Sequence, residues 1–286
     1  MLLNRFCDSE YRCEARLSCR DGRRVHISEA MRFALIAVAL IAALFAPVSF
    51  SSADTSLQVD AGTDLQPLMA YAFIPMFTKQ TGIEVNATFG ASGSLQKQFE
   101  DGAPIDVFLA DDDTTVGKLA KEGLLDGASE QSYATGRLAV MFRRGFEARQ
   151  VSMSALAQQW VNKVAIADPA VSGYGRAAQT ALVNADLYST VNDQERLALF
   201  PSAQDAYVNT VAGNADATIT ALSLVIRDKK ANYEMVPARY YTPINQTLGI
   251  KPNASQPAKQ FVVFLLSPDA QAIFKQFGYL PPKTKK

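Results

Sequence analysis

Residues 57–109 read LQVDAGTDLQPLMAYAFIPMFTKQTGIEVNATFGASGSLQKQFEDGAPIDVFL, in which short apolar runs alternate with longer amphipathic segments. The apolar runs occupy residues 57–59, 83–85 and 107–109. The segments between them, residues 65–80 and 95–100, carry apolar residues at helical spacing. Because strands that alternate with helices are typical of parallel βαβ units, this pattern predicts an α/β fold.

Glycine and proline residues mark where the first helices end and bend. Gly82 and Gly102 follow the two amphipathic segments, and glycine readily adopts the left-handed conformation that ends a helix. Pro75 lies inside the first segment, where it removes one backbone hydrogen bond. We therefore expect a kink at Pro75.

The same alternation continues to the end of the chain. Predicted strands lie at residues 138–142, 164–166 and 217–225. Predicted helices lie at residues 176–185, 203–212, 258–266 and 270–277. Ser267 and Pro268 suit the N-cap and the first position of the last helix. For a chain of this length we expect two lobes rather than a single core.

The composition is that of a globular protein, since 48% of the 286 residues are hydrophobic and 20% are charged. Lys and Arg together number 28, and Asp and Glu together also number 28. Non-specific binding to nucleic acid needs clustered basic residues, which this chain lacks. We expect no nucleic-acid partner.

The amino-terminal part has the pattern of an export signal. Met31-Arg32 precedes an apolar run over residues 33–48 and then the small residues Ser51-Ser52-Ala53. Pro47 interrupts the run, which is shorter than the roughly 20 residues that span a membrane, so an anchor is the weaker interpretation. We predict an amino-terminal extension plus signal peptide over residues 1–53, with the signal at 31–53, and a periplasmic mature protein.

All cysteines and the single histidine lie before Met31. The exported chain therefore has no thiol or imidazole for a disulfide, a metal site or a nucleophilic triad. We expect a binding protein without a cofactor rather than an enzyme. The alternative is an exported metal-dependent hydrolase with its cation at Asp111-Asp112-Asp113, although three consecutive carboxylates are better explained as a solvated strand end.

Four loops share one design, in which small or hydroxyl residues precede a helix. They lie at residues 60–64, 89–94, 172–175 and 201–203. A helix start has unpaired N–H groups and the positive end of the helix dipole, so each loop can bind an anion. Each loop alone is better explained as a helix cap. In an open α/β sheet, however, the carboxyl ends of the strands face one crevice, so these loops should converge.

Several motifs occur along the chain in a characteristic order. They are QTGIEV at 80–85, FGASGSL at 89–95, GAPIDVF at 102–108, IADP at 166–169, GNADA at 213–217 and LSPDAQ at 266–271. In this order the chain resembles the periplasmic molybdate-binding proteins of ABC importers. The resemblance implies the two-lobed type II periplasmic binding-protein fold, in which each lobe is a mostly parallel sheet flanked by helices and the ligand lies in the cleft.

The resemblance also implies lobe boundaries and partners. Residues 54–136 and 240–286 would form lobe 1, and residues 137–239 would form lobe 2. The protein would be a monomer that captures a tetrahedral oxyanion, molybdate or tungstate, and delivers it to an inner-membrane ABC permease without catalysis. Phosphate and sulfate are alternative ligands. Ferric iron is another, because Tyr240-Tyr241 is similar to the tyrosine pair of ferric-binding proteins with this fold.

In this family, hydroxyls and backbone N–H groups bind the oxyanion without a positive side chain. The matching positions of this chain are Thr63, Asp64, Ser92, Tyr174 and the backbone of Ala203. Some members carry a tyrosine at the position of Ala221, and here Tyr174 would supply the phenol instead.

Asp64 departs from the family pattern, in which Ser or Asn is common. An ionised carboxylate beside a dianion is repelled by several kcal/mol at low effective dielectric. Three interpretations stay open. The Asp64 carboxylate caps its own helix, accepts a proton from a protonated oxyanion such as hydrogen phosphate, or pairs with Arg176 across the cleft.

Overall fold

The computed structural model describes residues 56–146 and 150–283. The predicted extension and signal peptide, residues 1–53, lie outside these ranges. Within the described ranges, the helices are all too short or too polar to cross a membrane.

The first sheet contains five strands. They are β1 Leu57–Gly62, β2 Val85–Gly90, β3 Val107–Ala110, β4 Gln131–Gly136 and β10 Ile244–Ile250. Their order across the sheet is β2-β1-β3-β10-β4. β1 pairs in parallel with β2 and β3, whereas β10 runs antiparallel to β3 and β4. Four strands of this sheet therefore run in one direction and β10 runs in the other.

The second sheet repeats this arrangement. Its strands are β5 Leu138–Phe142, β6 Val164–Ala167, β7 Leu197–Phe200, β8 Ala217–Ala221 and β9 Asn232–Met235. Their order is β7-β6-β8-β5-β9. β6 pairs in parallel with β7 and β8, and β5 runs antiparallel to β8 and β9. Both sheets are thus mostly parallel, with one reversed strand each.

Helices cover both sheets. The α-helices are α1 Gln66–Leu68, α2 Ile74–Thr81, α3 Ser92–Glu100, α4 Thr115–Lys121, α5 Gly173–Asn184, α6 Tyr188–Asn192, α7 Ala203–Val211, α8 Leu222–Val225, α9 Gln256–Leu265 and α10 Pro268–Gln276. Short 3-10 helices lie at Thr63–Leu65, Gly127–Ser129, Ser154–Ala157 and Ala238–Tyr240.

Aromatic packing holds α2, α9 and α10 against the first sheet. The ring of Phe77 lies 5.0 Å from that of Phe261, and the ring of Phe73 lies 4.9 Å from that of Phe274, both edge to face. All four side chains are buried. Edge-to-face pairs of this kind stabilise a core beyond the apolar area that they bury. This packing covers one face of the first sheet and leaves the ends of its strands open to the loops of the site.

The predicted two-lobed α/β fold is confirmed, with local differences. The strand predicted at 217–225 ends at Ala221, where α8 begins, and the helix predicted from Arg176 begins at Gly173. A π-helical turn over Met69–Phe73 precedes α2, which has Pro75 in its first turn, and the kink at Pro75 stays a prediction. The π-helical turn accommodates the hydrogen bond that proline cannot make.

The chain passes between the sheets twice. It leaves the first sheet at Gly136 and enters the second at Leu138, with Arg137 between them. It returns through residues 236–243, which lie between β9 and β10. The boundaries at 54–136 with 240–286 and at 137–239 stay a prediction about units that move separately.

Candidate functional site

The predicted loops converge at the carboxyl ends of the strands. Separate hydrogen bonds connect four of the five predicted site residues to neighbouring loops. Ser92 Oγ accepts from the Asp111 N–H, the Tyr174 hydroxyl donates to Asp64, and Thr63 Oγ1 accepts from the Gln204 N–H at the start of α7. Gly93, in the first turn of α3, also donates its N–H to the carbonyl of Val171 at 2.8 Å. The loops of the two sheets therefore meet face to face.

Asp64 lies among these contacts and is only 1% exposed. Its Oδ2 accepts hydrogen bonds from the Tyr174 hydroxyl at 3.0 Å, from Gln246 Nε2 at 2.5 Å and from the Tyr279 hydroxyl at 2.7 Å. Its carbonyl oxygen accepts from the Ser223 hydroxyl at 2.9 Å and again from Tyr279 at 3.0 Å. Residues from both sheets thus hold Asp64 in place.

The pKa of Asp64 is raised to about 6, first by burial and then by the neighbouring charge of Asp111. The hydrogen bonds from Tyr279, Gln246 and Tyr174 oppose this shift because they stabilise the carboxylate. At neutral pH the ionised form of Asp64 is therefore destabilising in this site. Because its pKa lies only slightly below neutral, Asp64 is protonated under mildly acidic conditions.

Two of the three interpretations of Asp64 are wrong. The 3-10 helix Thr63–Leu65 has no side-chain cap, so Asp64 does not cap its own helix. Arg176 does not pair with Asp64 either, because its Nη2 lies 2.6 Å from Oδ2 of Asp112. The Asp64 carboxylate accepts its hydrogen bonds from other elements, Tyr174 and Tyr279 among them, and not from the backbone of its own helix. The third interpretation, hydrogen bonding to a protonated oxyanion, stays a prediction.

The sequence singled out Asp111 only as part of a candidate cation site, whereas in the structure it contacts Ser92 and the start of α5. Its Oδ2 accepts hydrogen bonds from the Ser172 hydroxyl at 2.9 Å and the Gly173 N–H at 3.1 Å, and its own N–H donates to Ser92 Oγ at 2.7 Å. Burial and then the charge of Asp112 raise the pKa of Asp111. Asp111 thus connects the first sheet to the helix start of the second.

The Asp111-Asp112-Asp113 run is not a solvated strand end. Asp111 and Asp112 are buried, because the loops of the second sheet cover this end of β3. Asp112 pairs with Arg176, and Asp113 accepts a hydrogen bond from Asn245 at 3.1 Å. Among the residues that the structure describes, no cluster of three or more metal-binding side chains occurs. The alternative of a cation at this run gains no support.

Thr63, Ser92 and Ala203 lie around Asp64 and Asp111. Thr63 Oγ1 accepts from the Gln204 N–H at 3.4 Å, and the fully buried Ser92 accepts from Asp111. Each hydroxyl then has its own hydrogen to donate. Ala203 is the first residue of α7, so its N–H has no acceptor within the helix. These are the donor types that an oxyanion needs.

Gln246 and Tyr279 were missed because no local motif marks them. Gln246 lies in β10, and its Nε2 also lies 3.0 Å from the Tyr174 hydroxyl. Tyr279 follows α10 and is fully buried, which raises its pKa well above 10. Only the three-dimensional arrangement brings these distant residues to Asp64.

Tyr240 and Tyr241, the tyrosine pair of the ferric-iron alternative, pack against the core of the second sheet. The Tyr241 hydroxyl accepts a hydrogen bond from the Leu138 N–H at 3.3 Å, and its ring packs in the core of that sheet. Tyr240 lies in a 3-10 helix, with the guanidinium of Arg239 over its ring. Ala221, where some relatives carry a tyrosine, is buried at the end of β8.

Comparison with known proteins is consistent with this geometry. Residues 57–280 match the family described as bacterial extracellular solute-binding protein. The molybdate-binding protein ModA of Rhodobacter capsulatus is 32% identical over 207 residues, which cover 72% of this chain and 81% of that protein. ModA of Azotobacter vinelandii is 34% identical over 209 residues, which cover 71% of this chain and 81% of that protein.

A solved structure agrees with these matches. The periplasmic molybdate-binding protein of Azotobacter vinelandii superposes with a TM-score of 0.74 at 30% identity, and the match covers 79% of this chain and 100% of that chain. The chain belongs to the family of bacterial extracellular solute-binding proteins.

Proposed function

We propose that the protein binds molybdate, or tungstate, in the periplasm and delivers it to an inner-membrane ABC permease. In this proposal it acts as a monomer, needs no cofactor and catalyses no reaction. The observation that carries the proposal is the convergence of buried hydroxyl and N–H donors from both sheets at one cleft. The identity of 32% and 34% to two molybdate-binding proteins supports it.

The oxyanion would lie among donors and not beside a cation. Thr63, Ser92 and Tyr174 would donate their hydroxyl hydrogens, and Ala203 would donate the first N–H of α7. Helix starts favour negative charge through their unpaired N–H groups and the helix dipole. Arg176 supports this arrangement without contacting the anion, because Asp112 already neutralises its charge.

The alternatives differ in what the site would have to supply. Sulfate needs the same donors in a smaller ring, and hydrogen phosphate adds a proton that Asp64 would accept. Ferric iron would need tyrosinate ligands, and the hydroxyl of Tyr241 is already bonded to the backbone of Leu138. A hydrolase would need a nucleophile activated by a base, and the chain offers no His or Cys after Met31 for that purpose.

A thermal-shift panel tests the proposal. A ligand at about 1,000 times its Kd adds roughly 4 kcal/mol to the unfolding free energy, which raises the midpoint by on the order of 8 to 16 °C for a protein of this size. We expect this shift with molybdate and tungstate and little shift with sulfate or phosphate. No shift with any tetrahedral anion would contradict the proposal, and a shift with Fe(III) alone would favour the ferric alternative.

A pair of variants connects the shift to the site. Ser92→Ala removes a buried hydroxyl from the cleft, whereas Ser189→Ala removes an exposed one from α6. We expect the molybdate shift to be smaller in Ser92→Ala and unchanged in Ser189→Ala. Equal shifts in the two variants would place the anion elsewhere.

A further inference from the structure

The two carboxylate oxygens of Asp64 have opposite surroundings. Oδ2 accepts three hydrogen bonds, from Tyr174, Gln246 and Tyr279. Oδ1 is equally buried and has no hydrogen-bond partner among the described residues. A buried polar atom without a partner is expensive, and in a native protein it indicates a missing interaction. Asp64 therefore has one oxygen that is fixed and one that is available to a ligand.

Oδ1 of Asp64 lies beside Gly62 and close to Asp111. Gly62 leaves the space for it, because a Cβ on Gly62 would lie 2.5 Å from Asp64 Oδ1 and 3.3 Å from Asp111 Cβ. The Asp111 N–H in turn donates to Ser92 Oγ. The unpartnered oxygen thus lies near Asp111, the residue that contacts Ser92.

The charged surroundings of Asp64 do not offset a negative charge on it. The titratable side chains that face it from other elements are Asp111, Tyr133, Tyr174 and Tyr279. Burial raises the pKa of each of these tyrosines well above 10, so all three are neutral hydroxyls. Beyond Asp111 lies Asp112, whose charge is matched by Arg176. A dianion next to ionised Asp64 would meet a negative charge without a counterion.

We propose that Asp64 binds the oxyanion as a neutral carboxylic acid, with a proton on Oδ1 that is donated to an oxygen of the anion. This inference rests on the proposed function and specifies its chemistry. On binding, Tyr174 turns its one hydroxyl hydrogen from Oδ2 to the anion, Oδ2 keeps Gln246 and Tyr279 as donors, and Oδ1 gains the partner that it lacks. A fully deprotonated anion such as molybdate brings no proton, so the proton comes from solvent. When Asp64 is ionised beforehand, one proton is therefore taken up for each anion bound.

This mechanism makes binding depend on pH in a defined way. The pKa of Asp64 is raised to about 6 in the free protein, and a bound dianion raises it further because the protonated form is the one that binds. Below the free value, affinity does not change with pH. Above it, affinity falls by up to about tenfold per pH unit. Protein and anion thus separate more readily as the pH rises.

Titration calorimetry of the purified protein with sodium molybdate tests the proposal without any mutation. Near pH 7.5, titrations in two buffers of different ionisation enthalpy report the number of protons exchanged. We expect uptake of about one proton per molybdate. Tight binding with no proton uptake would overturn the inference and leave the proposed function intact. No binding of molybdate or tungstate at any pH would instead contradict the proposed function.

Two variants assign the proton to Asp64. Asp64→Asn places an amide where the carboxylic acid would donate, so we expect proton uptake to disappear and molybdate affinity to stay constant between about pH 6.5 and 8.5. At the upper end of this range the variant should bind molybdate more tightly than the parent. Asp193→Asn, at an exposed side chain away from the site, is the matched control, and it should still take up about one proton. Uptake that persists in Asp64→Asn would refute the assignment to Asp64.

Discussion

The hydroxyl of Tyr174 donates a 3.0 Å hydrogen bond to Oδ2 of Asp64 and so joins the two sheets at the centre of the cleft. Asp64 follows β1 of the first sheet, and Tyr174 lies in the first turn of α5, which follows β6 of the second. Both side chains are buried. The contact between the sheets and the chemistry proposed for the anion therefore depend on the same pair.

Replacement of Tyr174 by Phe should weaken anion binding and leave the fold intact. The variant loses the bond to Asp64 and the phenol that would donate to the oxyanion. A hydrogen bond to a charged group contributes about 1.5 to 3 kcal/mol, so the Kd for molybdate should rise roughly ten- to hundredfold. Titration calorimetry measures the change. Tyr71→Phe is the control, because Tyr71 is 82% exposed on the surface of the first sheet's helices, and equal affinities in the two variants would contradict the role of Tyr174.

Gly173 tests whether binding requires the two sheets to approach each other. A Cβ on Gly173 would lie 2.1 Å from the carbonyl oxygen of Asp111, which belongs to the first sheet. Neither sheet is altered internally by this clash, so Gly173→Ala should keep its thermal midpoint and lose at least about tenfold in molybdate affinity.

Solution scattering provides the second measurement on Gly173→Ala. We expect saturating molybdate to reduce the radius of gyration of the parent and to leave that of Gly173→Ala unchanged. Gly127→Ala is the matched control, since the nearest heavy atom to its added Cβ would be 3.8 Å away. If Gly173→Ala contracts on binding as the parent does, closure against Asp111 is not part of binding.

The sequence predicts those parts of the fold that depend on local signals. The parallel strands β1 and β3 and the cap of α10 by Ser267 follow from apolar periodicity and capping chemistry, and the structure contains them. The strands β4 and β10 were not predicted. They pair with each other across a long stretch of sequence, and such pairing leaves no local pattern.

The same distinction applies to the candidate site. Asp64, Ser92 and Tyr174 lie in loops with a recognisable design, so the sequence identified them. Gln246 and Tyr279 reach Asp64 from 182 and 215 residues away along the chain. The role of Asp111 also depends on contact between the sheets. No periodicity or spacing in a single sequence reports such contacts, which is why the surroundings of Asp64 could not be predicted.

Tyr279 should tune the proton affinity of Asp64. Its hydroxyl donates to Asp64 Oδ2 at 2.7 Å and so stabilises the carboxylate, which lowers the pKa of Asp64. In Tyr279→Phe the pKa of Asp64 should rise, and the pH at which molybdate affinity begins to fall should move upwards. Affinity measured across a pH series reports that onset. Tyr71→Phe should leave it in place, and an onset that moves downwards in Tyr279→Phe would contradict this role.

The unfolding free energy of the anion-free protein should depend on pH because the pKa of Asp64 is raised in the folded state. The folded-state pKa of about 6 lies above the ordinary aspartate pKa of 3.8, which applies to the unfolded chain. Between these values the folded protein keeps a proton that the unfolded chain has lost, so this group's contribution to stability falls as the pH rises from about 4 to about 6. Above about pH 6 the destabilisation caused by the buried, ionised Asp64 no longer changes. Asp64→Asn removes this destabilisation. The unfolding free energy of the variant relative to the parent should therefore increase by about 2 kcal/mol between about pH 4.5 and 7.5.

Urea unfolding of the anion-free protein at these two pH values measures the difference, and the comparison between variant and parent cancels the titration of all other groups. Asp193→Asn is the control because its side chain is exposed at the end of α6 and far from the contacts that surround Asp64. It should follow the parent at both pH values. If Asp64→Asn also follows the parent, burial of Asp64 does not raise its pKa, and proton uptake at this residue loses its physical basis. If Asp64→Asn gains stability towards neutral pH, the parent carries a buried carboxylate at a stability cost, as expected of a residue kept for binding and not for folding.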